Sequence, residues 1–305
     1  MAQPEHNCTN PFFSIVIPIF NDWMLLKDCL YSLGAQITPP CFEVILVDDG
    51  SEEPAPKSVR NPPYPYPLRV IEQPHNGIPA ARNRGVEASK GLILLFVDAD
   101  CRLRPDCLTR LASTITQSPN QDYFQLRLIG NVSSLVGRAE QLRLATLQSH
   151  LLQTDGRIKY LNTAGFAMRH TKADGKAEIF DPLALRAEDT LLLANLMQAG
   201  ELPLFVRDAV VEHMIPLSLP GCLRKDIQSV YLERRTYRII ASKGVKIRIT
   251  QMERLRLLWS MWRTASQPSV GRSAWFVVVL RQTLQRAISP LFQYLRGRSG
   301  AHLLV

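Results

Sequence analysis

A doubly wound, mostly parallel α/β sheet is the fold class this 305-residue chain predicts, and three observations predict it. Short apolar, β-branched runs alternate with helix-length amphipathic stretches, the pattern of βαβ units. One run, Leu92-Ile93-Leu94-Leu95-Phe96-Val97, is apolar throughout, as a strand covered on both faces must be. Acidic residues (Asp22, Asp48-Asp49, Asp98 and Asp100) follow the ends of three such runs, which places them along one edge of the sheet, where open α/β folds hold their ligands.

The elements follow in order. Ser14 to Asn21 reads as a β-branched strand stopped by Pro18, and Asn21 or Asp22 caps a helix running to about Leu33. Phe42 to Val47 is a second strand, ending in Asp48-Asp49-Gly50-Ser51. The proline-rich stretch from Glu53 to Pro67 is a loop. Leu68 to Glu72 is a third strand, and Ile78 to Ala88 a helix leading back to the central strand. At its end Asp98 and Asp100, two residues apart, point the same way. Two such carboxylates suit a hard divalent cation that also takes phosphate oxygens. On the tripeptide alone a turn and helix cap would explain them equally well. Glu188-Asp189 opens an apolar helix from Thr190 to Gln198, which Gly200 terminates, and first-turn acids are favoured there by the helix dipole alone.

Composition narrows the classes. The length suits one large α/β domain plus an appendage, and 46% hydrophobic with 21% charged residues is ordinary for a globular protein. The amino end shows neither the basic start nor the uninterrupted apolar run of a signal peptide. Six cysteines (Cys8, Cys29, Cys41, Cys101, Cys107, Cys222) form no CxxC pair and no zinc spacing, and are expected as reduced thiols in a cytosolic setting. The net charge of +9 is uneven: residues 1–220 carry 20 Lys and Arg against 24 Asp and Glu, residues 221–305 carry 16 against 3.

Several segments then combine in order: Ile17-Pro18-Ile19-Phe20-Asn21, Val47-Asp48-Asp49-Gly50-Ser51, Asn76 to Gly85 (NGIPAARNRG), Val97-Asp98-Ala99-Asp100, Asn162 to Arg169 (NTAGFAMR) and Glu188-Asp189. With these, residues 12 to about 215 resemble the family 2 glycosyltransferases, which have the GT-A fold, a Rossmann-like nucleotide-binding half joined to an acceptor-binding half. The resemblance implies an inverting, metal-assisted transfer of a sugar from a nucleotide-diphosphate donor, UDP by default, to an acceptor hydroxyl in cell-surface glycan or lipid-linked saccharide synthesis. It implies a nucleotide site at Pro18, Phe20, Asn21, Asp49, Arg82 and Asp98, with Phe20 beside the base and Asp49 preferred over Asp48 as its reader. A divalent cation, manganese or magnesium, falls to Asp100 with Asp98, and His213 is a minority ligand from the far part of the sheet. Asp189 is the general base and Glu188 orients the acceptor or holds Asp189. For Phe20, Arg82 and His213 the residues alone leave open a core aromatic, a solvated arginine and a structural histidine. In the 131–160 segment, where acceptor recognition is expected, Gln141, Gln148 and His150 lie on a helix-like stretch from Ala139 to Gln153, with a solvated face as the alternative.

The chain divides at residue 220 into this domain and a basic helical region, 221–305. Its helices interleave arginine with Tyr231, Trp259, Trp262, Leu280, Leu284, Leu291 and Leu295, and Pro290 is expected to kink or end the last of them. The apolar run Ala274 to Leu280 is too short to span a bilayer. Basic helices of this kind suit the surface of an anionic membrane, such as the inner face of the plasma membrane, or else pack on the domain with arginines to solvent. The acceptor is a saccharide, lipid or protein, and nucleic acid is not expected as a partner. Against a sugar nucleotidyltransferase stands the absence of a glycine-rich, lysine-bearing loop after the first strand. A non-catalytic membrane- or nucleic-acid-binding protein with a degenerate glycosyltransferase-like domain is the alternative from another class, and the joint presence of Asp49, Asp98, Asp100 and Asp189 argues against it.

Overall fold

In the computed structural model, residues 10–60, 64–173, 178–214, 218–245, 250–266 and 271–298 are described. The amino-terminal half comprises β1 (Phe13–Ile19), α1 (Trp23–Gly34), β2 (Phe42–Asp48), α2 (Lys57–Arg60), β3 (Leu68–Glu72), α3 (Ile78–Ala88) and β4 (Ile93–Phe96). β5 (Cys101–Leu103), α4 (Cys107–Gln117), β6 (Tyr123–Gly130), α5 (Leu135–Leu151), β7 (Phe166–Arg169), α6 (Glu188–Ala199) and β8 (Leu204–His213) follow. Three helices close the described chain: α7 (Leu219–Ser242), α8 (Gln251–Ala265) and α9 (Arg272–Arg298).

One eight-stranded sheet runs β3-β2-β1-β4-β7-β6-β8-β5. β3, β2, β1 and β4 are parallel, and β7 enters antiparallel beside β4. Because helices cover both faces, β2 and β4 are buried at every position, which explains their unbroken apolar runs. Val16, Leu94 and Phe96 pack to one side with Phe166 and Phe180, while Ile15, Ile17 and Leu95 pack to the other with Leu26 and Leu30. Helix α3 lies so close to β1 that a Cβ on Gly85 would stand 2.3 Å from Val16 Cγ1.

Pro18 does not stop β1, which continues through Ile19. β4 pairs with β1 only as far as Val16, and by the alternation of backbone groups the Pro18 nitrogen faces that side, past the end of the β4 ladder, where no donor is needed.

Gln141 and Gln148 prove to be neither solvated nor turned to a ligand. Gln141 Oε1 accepts the Gly130 N–H at 2.7 Å, and Gln148 both accepts the Leu128 N–H at 2.9 Å and donates to the Leu128 carbonyl at 2.7 Å. The β6–β8 register slips between Leu126 and Arg127, and α5 supplies partners to the neighbouring β6 backbone. Ser134 caps α5, its hydroxyl accepting the Gly137 N–H, so the helix starts four residues before the sequence expectation.

Two further expectations are corrected. Cys41, exposed ahead of β2, is disulfide-bonded rather than reduced; Cys29, Cys101, Cys107 and Cys222 are free and buried, and Cys8 lies outside the described residues. Of the two outcomes expected at Pro290, a kink or an end, the end does not occur, because α9 extends to Arg298; an interior proline removes one backbone hydrogen bond without fixing a terminus.

The last three helices pack on the sheet-bearing part. Ala139 and Leu142 of α5 share a cluster with Met261, Ala265, Ala274, Val277 and Val278, and Ile240 of α7 packs on Ala184, Leu191 and Ala194. Arg281 makes a two-pronged ion pair with Asp226 at 2.7 and 2.9 Å, so the arginines here are not all turned to solvent. Among the described residues no helix is long and apolar enough to cross a membrane.

Candidate functional site

The carboxyl ends of β1, β2 and β4 and the amino end of α6 bring most of the sequence-selected residues together. Asp48 accepts the Ser51 N–H at 2.9 Å and is a turn residue. Asp49 is 3% exposed. Its Oδ1 accepts from Gln73 Nε2 at 2.7 Å and from the Asn76 N–H at 2.9 Å, and its Oδ2 takes the Gly77 N–H at 2.9 Å. His75 Nδ1 lies 2.9 Å from that same Oδ2. Asp49 therefore holds the 73–77 loop in place with both oxygens, a structural task beside the base-reading one expected of it. His75 in turn stacks under Phe20, with ring centroids 4.3 Å apart and planes inclined by 26°. Phe20 is 41% exposed, which removes the core-aromatic alternative and leaves a two-ring shelf at the sheet edge. Asn21 adopts a left-handed backbone (φ 61°), and its Oδ1 accepts the Glu52 N–H at 2.9 Å, tying the end of β1 to the loop after β2.

Arg82 is not a surface arginine. It is 2% exposed on the first turns of α3, donates through one arm to Asp98 Oδ1 at 2.8 Å and through the other to Glu188 Oε1, and lies 5.6 Å from the Phe180 ring centroid. Burial works against its charge, but Asp98 and Glu188 outweigh it and push its pKa up. The rest of the α3 motif has equally local reasons. Asn83 Nδ2 donates to the Phe180 carbonyl at 2.7 Å and its Oδ1 accepts the Phe180 N–H at 3.0 Å, while Gly85 permits the close approach to β1. Adjacent residues of one helix thus hold the chain leading to α6 and tether its first carboxylate.

That carboxylate opens α6 after Ala187, which sits in the left-handed region at φ 60°. Thr236 of α7 donates to the Arg186 carbonyl at 2.6 Å and fixes the same turn from behind. Asp189 follows, with its Oδ1 accepting from the Thr190 N–H at 2.6 Å and the Thr190 hydroxyl at 3.1 Å. Burial and the neighbouring Glu188 charge raise its pKa to about 7.

On the other side of the site, β5 pairs with β8 so that Cys101 stands opposite His213. His213 Nε2 lies 3.2 Å from Asp100 Oδ2. Burial opposes charge on both, yet their mutual contact holds Asp100 below and His213 above its ordinary range, and Lys225 of α7 adds to the effect on Asp100. Asp100, Cys101 and His213 place one donor atom each within 4.8 Å of one another. The Cys101 thiol is buried and pushed well above its usual pKa by burial and by both aspartates, so it is a poor ligand. An oxygen and an imidazole nitrogen remain, a donor set that suits magnesium poorly, since it prefers oxygen alone, and leaves manganese the better fit of the two. Asp98 is turned to Arg82 and lies outside this cluster. The structure thus gathers Arg82, Asp98, Glu188 and Asp189 in one group and Asp100 with His213 in another, and Pro18 serves the strand end.

Sequence reasoning missed His75, Lys225 and Thr236. His75 stands one residue before the Asn76 motif and could have been noticed as a second ring beside Phe20. Lys225 and Thr236 lie in the basic arm, where no local pattern marks a residue whose charge reaches Asp100 or whose hydroxyl reaches the turn before Glu188.

Comparison with known proteins follows the same lines. The profile of glycosyl transferase family 2 matches residues 14–176. Glycosyltransferase AglE of Haloferax volcanii is 37% identical over 111 residues, covering 35% of this chain and 36% of that protein. Putative glycosyltransferase EpsH of Bacillus subtilis is 31% identical over 105 residues, 34% of this chain and 30% of that protein. The chain therefore spans about a third of the length of these curated relatives. S. aureus TarS 1–349 in complex with UDP superposes with a TM-score of 0.56 at 19% identity, covering 96% of this chain and 94% of that one. The mannosyltransferase PcManGT of Pyrobaculum calidifontis, solved with GDP-Man and Mn2+, gives 0.57 at 15% identity, covering 94% and 80%. At these identities the superpositions establish the GT-A fold, and the profile match over more than half its length shows that this chain belongs to glycosyl transferase family 2.

Proposed function

We propose that this chain transfers a sugar from a nucleotide-diphosphate donor, a UDP-sugar by resemblance, to an acceptor hydroxyl with inversion at the anomeric carbon. The observation that carries the reading is the buried Arg82, which joins Asp98 at the donor edge to Glu188 beside Asp189. Donor-binding and acceptor-activating groups are thereby held at a fixed separation, as in-line displacement requires. Asp189 is the general base. With its pKa raised to about 7 it is ionised often enough near neutrality, and basic enough, to take a hydroxyl proton as that oxygen attacks. Glu188 stays paired with Arg82 and sets the position of Asp189. The shelf of Phe20 and His75 offers a nucleobase an aromatic face. Asp100 and His213 would hold the divalent cation, whose chemistry is to offset the charge left on the departing diphosphate. Around it, Lys225 of α7 contributes a further positive charge near Asp100.

The catalytic unit is residues 1–220 and the arm is 221–305. A saccharide, lipid or protein acceptor in cell-surface glycan or lipid-linked saccharide synthesis, at the inner face of the plasma membrane, belongs to the same reading, supported by the basic arm and by the family. Nucleotide release by the purified chain, measured over a panel of UDP-, GDP- and dTDP-sugars with manganese, tests it. Release of one nucleotide that disappears with chelator and in Asp100→Asn is the expected result. No release from any donor, together with no thermal stabilisation by nucleotide plus metal, would overturn the catalytic reading in favour of a degenerate binding domain.

A further inference from the structure

We infer that the outer face formed by α8 and α9 is a bilayer-docking surface for anionic phospholipid, which holds the chain flat on a membrane without crossing it. On α8 the exposed positions are Met252, Leu255, Arg256, Trp259, Ser260 and Arg263, a single stripe at three- and four-residue steps. Trp259 is 63% exposed and Leu255 61%. Helix α9 repeats the pattern: Phe276, Leu280 and Thr283 are exposed, with Arg272 one turn before and Arg286 one turn after. Trp262 joins the helices, its ring 4.9 Å from that of Trp275 and 6.2 Å from that of Phe276, and Arg272 lies 5.0 Å from its centroid. Beside it Phe276, Val279, Leu280 and Thr283 of α9 form an open, shallow apolar patch.

This face is not a remnant of the core. Each helix already buries a separate stripe, Leu257, Met261 and Ala265 from α8 and Ala274, Val277 and Val278 from α9, the latter against α5. A second apolar stripe on an already packed helix is left for another partner. Charge selects which one. Residues 221–305 carry 16 basic against 3 acidic side chains. Of those three, Asp226 is paired with Arg281, Glu253 is held in the capping box at the start of α8, and Glu233 lies on α7, so none belongs to the two exposed stripes. The exposed charges on the two stripes are all arginine, placed among or at the ends of the apolar residues. Indole and branched apolar groups that reach the acyl boundary while arginines meet lipid phosphates suit an interfacial helix pair. A second copy of the chain would set these arginines against one another. The two helices pack on α5, the helix of the segment in which acceptor recognition is expected, so docking brings that side of the molecule to the lipid surface. The inference stands without the sugar chemistry, because lipid binding is read without any donor.

Flotation of the full chain with vesicles of phosphatidylcholine alone and with about a third phosphatidylglycerol tests it. Binding to the anionic vesicles only, falling as salt is raised, is expected. The pair Leu255→Ser with Trp259→Ser and the pair Arg256→Glu with Arg263→Glu should each weaken binding about tenfold or more, with the melting temperature and donor hydrolysis of the parent kept. Equal binding to both vesicle types, no binding, or unchanged binding by both variants would overturn it. So would a dimer in light scattering that the serine pair converts to monomer, since a second copy would then cover the face.

Discussion

Asp189 makes a sharp statement about pH. An acid whose folded pKa lies near 7, above the usual 3.8, binds more protons in the folded state than in the unfolded one between those values. Its contribution to stability is therefore greatest at low pH and is lost as pH rises from about 4 to about 7. Activity runs the other way: kcat/KM should climb through a midpoint near pH 7 to a plateau. Asp189→Asn is expected to lower kcat by about 10^2 to 10^4-fold while melting at the same temperature as the parent or higher at pH 8. A variant that melts lower there and keeps its rate would contradict both roles. Arg82 gives the opposite balance. Removing it in Arg82→Met leaves Glu188, about nine-tenths buried, and Asp98 without their shared cation. A loss of about 3 kcal/mol or more in urea unfolding is expected, with Glu188→Gln costing less. Neither residue could be weighed this way from sequence. Arg82 was visible as part of a motif, but its burial depends on a partner 106 positions away.

At the scale of elements, β2 and β4 were legible because burial on both faces writes an unbroken apolar run, β5 and β6 were not read at all, and α3 was legible to its exact ends. What stayed hidden were features set by neighbours in space. Pro18 looked like a stop because its missing donor counts only where a partner strand extends that far. Gln141 and Gln148 looked like surface or ligand residues because a slipped strand register cannot be read from the strand alone. The α3–β1 crossing shows how local packing carries the site. In Gly85→Ala the new methyl meets Val16 Cγ1 at 2.3 Å, so either Val16 or α3 must shift. A cost of about 1 to 3 kcal/mol is expected by denaturant titration, together with a fall in kcat, because Arg82 and Asn83 ride on the same helix. A variant as stable and active as the parent would show that the contact relaxes freely.

For the whole molecule, the sequence marked a change of character at residue 220 but not the direction in which the arm folds. Amphipathic helices have the same periodicity whether the apolar stripe meets protein or lipid, so neither the packing of α8 and α9 on α5 nor the second stripe is written in the pattern. Ending the chain at residue 218 is expected to expose Ala139, Leu142, Leu191 and Ala194 and to free the turn before Glu188 that Thr236 fixes. The shortened protein should unfold at lower denaturant and lose nucleotide release. Retention of both would make the arm a separate unit.

The double tether of Arg82 also ties two equilibria together. One guanidinium serves both Asp98 and Glu188, the residue next to Asp189, so a ligand that draws Asp98 away redistributes the positive charge felt at Glu188 and hence the proton affinity of Asp189. Linkage is reciprocal: the factor by which the bound donor changes that proton's dissociation constant is the factor by which losing the proton changes the donor's Kd. Titrating donor binding across pH 6 to 8 therefore measures how strongly the two halves of the reaction sense each other before any acceptor arrives, and Glu188→Gln should flatten that titration.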